Sequence, residues 1–219
     1  MPLEDAVLIR RYKRFLADVG LPDGSVRTVH LANPGAMTGC AKPGSAVLLS
    51  DSQNPNRKLR WNWELVKVGR CWVCVNTAVA NRVVKNWLES GRIFPGSGSV
   101  RPEPRWGDSR FDFALDDDVL IEVKSVTLVK NREGAFPDSV TERGRRHVER
   151  LAAIRDRRRV LLFFVARGDV RVVRPAEEID PAYADALRRA AQAGVEVRAV
   201  GARFDRRGAH WNGELEVRL

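Results

Sequence analysis

Arg110-Phe111-Asp112-Phe113-Ala114-Leu115, three aspartates, then Val119-Leu120-Ile121-Glu122-Val123-Lys124 predicts two short apolar strands joined by an acidic turn. Strand side chains alternate between faces, so Phe111, Phe113 and Leu115 belong on one side with Ile121 and Val123. Asp112 belongs on the other, with Glu122 and Lys124. With Asp116-Asp117-Asp118 as the turn, Leu115 falls across from Val119, Phe113 from Ile121, Asp112 from Glu122, Phe111 from Val123 and Arg110 from Lys124. The apolar partners match and the polar ones do not. Like charges directly opposed cost up to roughly 1 kcal/mol, so a face that keeps two such clashes suits a ligand. A divalent cation would turn the Asp112–Glu122 repulsion into chelation, because Mg²⁺ is usually held by one or two carboxylates plus waters and phosphate oxygens. Lys124 could then orient a water or neutralise charge building on a phosphate. A competing structural reading simply pairs Glu122 with Lys124 on an exposed sheet face.

Downstream, residues 131–137 read as a loop. Asp138 or Ser139 then caps a helix running to about Arg155, with Val140, Gly144, Val148, Leu151 and Ile154 in one stripe at about 100° per residue. His147 lies inside that stripe, equally suited to a packed core or a phosphate contact, and Arg143, Arg146 and Arg150 share the flank beside it. From Thr141 to Arg159 there are eight arginines against three acids, a distribution that suits a phosphodiester backbone. Val160 to Ala166 predicts a strand buried on both faces. Pro181 to Ala193 predicts a helix closed by Gly194, and Val195 to Val200 a last strand. Upstream, residues 77–91 predict an amphipathic helix capped by Thr77, and a short edge strand falls around Val100. The resulting α/β order, with Asp112 and a Glu-x-Lys on adjacent central strands, has the layout of the PD-(D/E)XK nuclease core.

The first 76 residues are β-rich, with turn signals at Pro22-Asp23-Gly24, Asn33-Pro34-Gly35, Lys42-Pro43-Gly44 and Asn54-Pro55-Asn56. Five or so short strands at that spacing predict a small OB-like barrel, a module that commonly binds oligonucleotides. Arg57, Lys58 and Arg60 lie beside Trp61 and Trp63, interleaving cations with rings able to stack on bases, although Trp63 reads better as core. Cys71 and Cys74 form a CxxC within a strand-like run. Neighbours three apart on a strand face opposite ways, which favours core packing over a zinc or redox site.

Composition bounds the partners. The 219 residues carry 38 Lys+Arg against 28 Asp+Glu, a net +10 with a pI of about 10.2, which favours polyanions such as nucleic acid. Hydrophobic content of 44% and charged content of 30% describe a globular chain. No apolar run approaches membrane-spanning length, and three cysteines close no disulfide framework, so a cytoplasmic, non-membrane protein is expected.

Several stretches resemble the sugar fermentation stimulation protein A family: Arg10 to Leu16, Asn33 to Cys40, Asn54 to Lys58, Val75-Asn76-Thr77, Ser109 to Phe113, Glu122 to Leu128, and Phe136 to Gly144 with His147. The resemblance implies an OB-like domain over residues 1–76 and a restriction-endonuclease-like mixed sheet flanked by helices over 77–219. It also implies a bacterial DNA-binding protein linked to regulation of sugar (maltose) utilisation. Asp112, Glu122 and Lys124 match the nuclease-like triad, and Glu103 matches a glutamate ahead of the aspartate strand and joins the two acids as a metal ligand. The chain departs from the family at Asn86, where a helix glutamate is usual, at Arg145-Arg146 for Gln-Lys, and at Pro34 for threonine. Three functions follow as expectations. The first is a DNA-binding protein of low sequence specificity whose site uses Mg²⁺, with Mn²⁺ as the alternative, for phosphodiester hydrolysis. The others are a non-catalytic transcriptional co-regulator and an RNA- or ribosome-associated protein. Nothing in the chain fixes its oligomeric state.

Overall fold

The computed structural model describes residues 2–96, 98–107 and 109–219. Its first six strands are β1 Leu3–Tyr12, β2 Leu16–Gly20, β3 Val26–His30, β4 Ala46–Asp51, β5 Trp61–Val68 and β6 Cys71–Cys74. They run in the order β3-β2-β1-β4-β5-β6, and a parallel contact at His30–Asn62 joins β3 to β5 and closes a barrel. This is an OB barrel. Alternation drives it inward, with Ala6 and Leu8 from β1, Ala17 and Val19 from β2, Val29, Val47, Leu49 and fully buried Trp63 filling its core.

The chain continues through α1 Thr77–Glu89, β7 Val100–Pro102, β8 Arg105–Trp106, β9 Ser109–Arg110, β10 Phe113–Leu115, β11 Val119–Val126, β12 Leu128–Lys130, β13 Glu133–Phe136 and α2 Glu142–Ala153. It ends with β14 Arg158–Val165, β15 Val172–Pro175, α3 Pro181–Gln192, β16 Glu196–Asp205 and β17 Gly208–Val217. Nine of these strands form one mixed sheet, β12-β13-β15-β17-β16-β14-β11-β10-β7, whose centre β11-β14-β16 is parallel. On β14, Val160, Leu162 and Phe164 point into the core under α1, and Leu161, Phe163 and Val165 into the core under α2 and α3. An apolar run without alternation is what a strand covered on both sides requires.

The hairpin register holds where both strands are apolar: Phe113 pairs with Ile121, Ala114 with Leu120 and Leu115 with Val119. It fails beyond Phe113. The Asp112 N–H donates to Ile121 O at 3.1 Å, and Asp112 Oδ2 accepts the Val123 N–H at 2.8 Å, so a carboxylate replaces the next ladder carbonyl and the chain bends away. Phe111 thereby enters the α2-side core and Phe113 the α1-side core, and Arg110 pairs with Arg105 instead of Lys124.

Other expectations shift as well. Asn76, not Thr77, caps α1, and Thr141 caps α2, which begins only at Glu142. Val140 is therefore outside the helix and 72% exposed. The expected 131–137 loop contains β13, and β16 is followed by a further strand, β17. The Cys40, Cys71 and Cys74 thiols are free, with Cys74 buried. Among the described residues no helix is long and apolar enough to cross a membrane.

Candidate functional site

β11 carries the site. It sends Ile121 and Val123 into the α1-side core, so the alternate side chains, Glu122 and Lys124, emerge under α2. Glu122 is only 3% exposed. Its Oε1 accepts from Lys124 Nζ at 2.6 Å and lies 2.5 Å from His147 Nδ1. Arg143 Nε donates to His147 Nε2 at 3.5 Å, so the tautomer with its proton on Nδ1 satisfies both ring nitrogens and donates to Glu122. Glu122 Oε2 is buried and has no hydrogen-bond partner among the described residues. A buried acceptor left in that state costs about 1–3 kcal/mol, and more when charged.

Asp112 is held from two sides. Its Oδ1 accepts from Asn81 Nδ2 on α1 at 2.8 Å, and its Oδ2 from the Val123 N–H. Burial, then the Glu122 charge, pushes the Asp112 carboxyl above its ordinary range. Burial is also the largest influence on Glu122 and favours its neutral form, but His147 and Lys124 together outweigh it and hold that carboxyl below its ordinary value. Two neighbouring carboxyls pushed in opposite directions are a common mark of a functional site.

Two cavities, of about 700 and 500 Å³, both reach Asp112, Glu122, Arg143 and His147. The larger runs between the barrel, at Arg14 and the 33–35 loop, and the residues 136–144 leading into α2, with Thr77, Asn81 and Lys124 in its wall. The smaller is cationic, lined by Arg110, Arg143, Arg146 and Arg150. Asp112, Glu122, Lys124, His147, Arg143, Arg146 and Arg150 are thus brought together. Glu103 borders the smaller cavity, and its N–H donates to Asp112 O at 3.0 Å, but its carboxylate turns to Arg110 Nη1 at 3.3 Å. Among the described residues no three His, Cys, Asp or Glu side chains are grouped closely enough to hold a metal ion. Arg57, Lys58 and Arg60 line neither cavity. Arg57 donates to Asn62 Oδ1 at 2.9 Å, Arg60 Nε holds Asp51 at 2.8 and 2.9 Å, and Lys58 is exposed.

Residues 9–75 match the SfsA N-terminal OB domain and residues 78–208 match the sugar fermentation stimulation protein RE domain. The chain belongs to the sugar fermentation stimulation protein family. Among its relatives, the sugar fermentation stimulation protein homolog of Geotalea uraniireducens is 45% identical, over 100% of this chain and 98% of that one. The Pelobacter propionicus homolog is 48% identical over 90% of each. The solved structure of Pyrococcus furiosus SfsA in complex with Ca²⁺ matches with a TM-score of 0.91 at 26% identity, over 100% of this chain and 96% of that one.

In this sugar fermentation stimulation protein, sequence reasoning passed over Asn81 and Arg14, and took Asp138 as a helix cap, whereas Thr141 caps α2 and Asp138 accepts the Met37 N–H of the barrel loop. Asn81 shares one helix face with Thr77 and Ala78, all three in the larger cavity wall, a spacing of one turn that was available as a signal. Asn86, where the family usually has glutamate, is exposed and lines neither cavity. Arg14 gave no local signal, and the cap signal at Asp138 misled, because the place of both depends on how the barrel packs against the sheet.

Proposed function

We propose that this protein binds DNA with low sequence specificity along the arginine-lined groove, and that Asp112 and Glu122 hold a divalent cation, Mg²⁺ or Mn²⁺, for phosphodiester hydrolysis. The observation that carries the reading is Glu122 Oε2, an anionic oxygen buried without a hydrogen-bond partner among the described residues, beside a second carboxylate that keeps unused acceptor capacity. Each Asp112 oxygen takes one hydrogen bond and can accept about two. Such an all-oxygen donor pair suits a hard divalent cation. That a family relative of the same fold was solved in complex with Ca²⁺ supports the same choice. When bound, such an ion polarises a phosphoryl oxygen and lowers the pKa of a water.

The chain's own groups do the rest. His147, steadied by Arg143, keeps Glu122 ionised and fixes its rotamer, while Asn81 and the Val123 N–H fix Asp112. Lys124 spends one N–H on Glu122 and has two more for a phosphate oxygen or an attacking water. Arg110, Arg143, Arg146 and Arg150 line the smaller cavity and take the flanking phosphates without reading bases.

Incubation with plasmid and single-stranded DNA in Mg²⁺, Mn²⁺ or chelator tests this. Cleavage is expected with metal only, and about 100-fold or more slower in Asp112→Ala and Lys124→Ala. A second reading, DNA binding without hydrolysis as in a transcriptional co-regulator, is favoured by the direct Lys124–Glu122 pair and by the absence of a third acidic group in the cluster among the described residues. DNA binding without cleavage, unaltered in both variants, would select it.

A further inference from the structure

The barrel contributes to the cavity wall a cation that the fold itself does not use. Arg14 lines the larger cavity with Asp112, Glu122, Lys124 and Arg143, and among the described residues its guanidinium has no hydrogen-bond or ion-pair partner. Its backbone, in contrast, is held tightly. Lys13 and Arg14 sit at φ 45° and 64°, a left-handed pair that residues with a Cβ adopt unwillingly. Arg11 enforces it: Nε and Nη2 donate to Arg14 O at 3.1 and 2.8 Å. The same guanidinium donates to Asn33 O, Gly35 O and Ala36 O at 3.0, 2.8 and 3.1 Å. One side chain thereby ties the β1–β2 turn to the 33–36 loop, and Asp138 Oδ2 ties that loop to the sheet domain by accepting the Met37 N–H at 2.8 Å. Phe15, next in the turn, is 42% exposed. Strain kept at such a turn by dedicated bonds points to use of the side chains it presents.

The same cavity is lined by both carboxylates. Glu122, 3% exposed, is less easily approached by a stiff duplex, whose phosphates ride on a broad convex surface, than by a flexible strand. A flexible single strand can fold a phosphate down between barrel and α2 while its bases stay near the rim. A cavity of about 700 Å³ lies in the size range of small-ligand sites.

We infer that the Lys13-Arg14-Phe15 turn completes the carboxylate site for single-stranded DNA, Arg14 contacting a phosphate and Phe15 stacking on a base, with Arg11 as the residue that positions them. The inference rests on the nucleic-acid reading proposed above. Fluorescence anisotropy with a labelled oligothymidylate and a duplex, in chelator and over a salt series, tests it on the full chain. Wild type is expected to bind the single strand more tightly than the duplex. Arg14→Ala should weaken that binding about three- to tenfold and flatten the plot of log K against log salt by about 0.7, while Arg14→Lys restores the slope. Phe15→Ala should weaken binding about tenfold with no change of slope. Arg11→Ala should flatten the slope as Arg14→Ala does and flatten it no further in the double variant. Wild-type slope and affinity in Arg14→Ala, or tighter binding of duplex, would overturn the inference alone. Failure of wild type to bind either DNA would remove the nucleic-acid reading, and this inference with it.

Discussion

Asp18, on β2, accepts hydrogen bonds from Thr28 Oγ1 at 2.7 Å, Arg10 Nε at 2.8 Å and Tyr12 OH at 3.0 Å, joining three adjacent barrel strands. The Thr28 bond and then the Arg10 bond outweigh burial and hold its carboxyl below the ordinary aspartate range. A depressed folded-state pKa means that ionised Asp18 stabilises the fold fully above about pH 4 and loses that contribution as the pH falls through the folded value. Asp18→Asn is therefore expected to be less stable near neutrality, and its loss of stability below pH 4, followed by urea denaturation, should be shallower than in wild type. Glu122, in contrast, keeps one oxygen without a hydrogen-bond partner among the described residues, so the one carboxylate is saturated by the fold and the other is left with acceptor capacity for the ligand proposed above. The proximity of Asp112 to the Glu-x-Lys residues was legible because Asp112 adjoins the hairpin strand paired with β11. Asn81 and Arg14 were not, since no local pattern says which side chain of a helix or turn will meet a strand from elsewhere.

Elements with strong periodicity were the readable ones. The stripe Gly144, Val148, Leu151 and Ile154 is buried as its spacing requires, and β14 shows the unbroken apolar run of a central strand. β17 escaped notice because none of its residues is fully buried and its alternation, Glu214-Leu215-Glu216-Val217, covers only its last residues. The bend at Asp112 escaped notice because a side chain standing in for a backbone acceptor leaves the hydrophobic pattern unchanged. The contact between the barrel loop and the segment before α2 leads to an expectation at this scale. A Cβ on Gly35 would lie 2.5–2.9 Å from the Asp138 carboxylate, which is itself engaged by the Met37 N–H. Gly35→Ala should cost about 1–3 kcal/mol in chemical denaturation. Added to Asp138→Ala it should cost measurably less than it does alone, because the clash has gone; simple additivity would contradict the contact.

At the scale of the molecule, barrel and sheet are not beads on a linker. Leu48, Leu65 and Cys74 of the barrel belong to the same apolar cluster as Ala80, Val84 and Leu88 of α1 and Phe164 of β14, and the Cys74 N–H donates to Ala166 O at 2.9 Å. Calorimetry is expected to show one unfolding transition for the whole chain, where two independent domains would give two. The OB barrel and the mixed sheet were legible separately from turn signals and periodicity. Their junction, where the larger cavity lies, was not, because it is written in side-chain shapes far apart in sequence. That junction frames the central claim, that Asp112 and Glu122 together hold a divalent cation. Titration with Mn²⁺, followed by the electron paramagnetic resonance signal of the free ion, tests it most directly. Wild type is expected to remove one equivalent from solution, and Asp112→Asn and Glu122→Gln to bind at least about tenfold more weakly. Wild type that leaves the free-ion signal untouched, or variants that bind as wild type does, would contradict it.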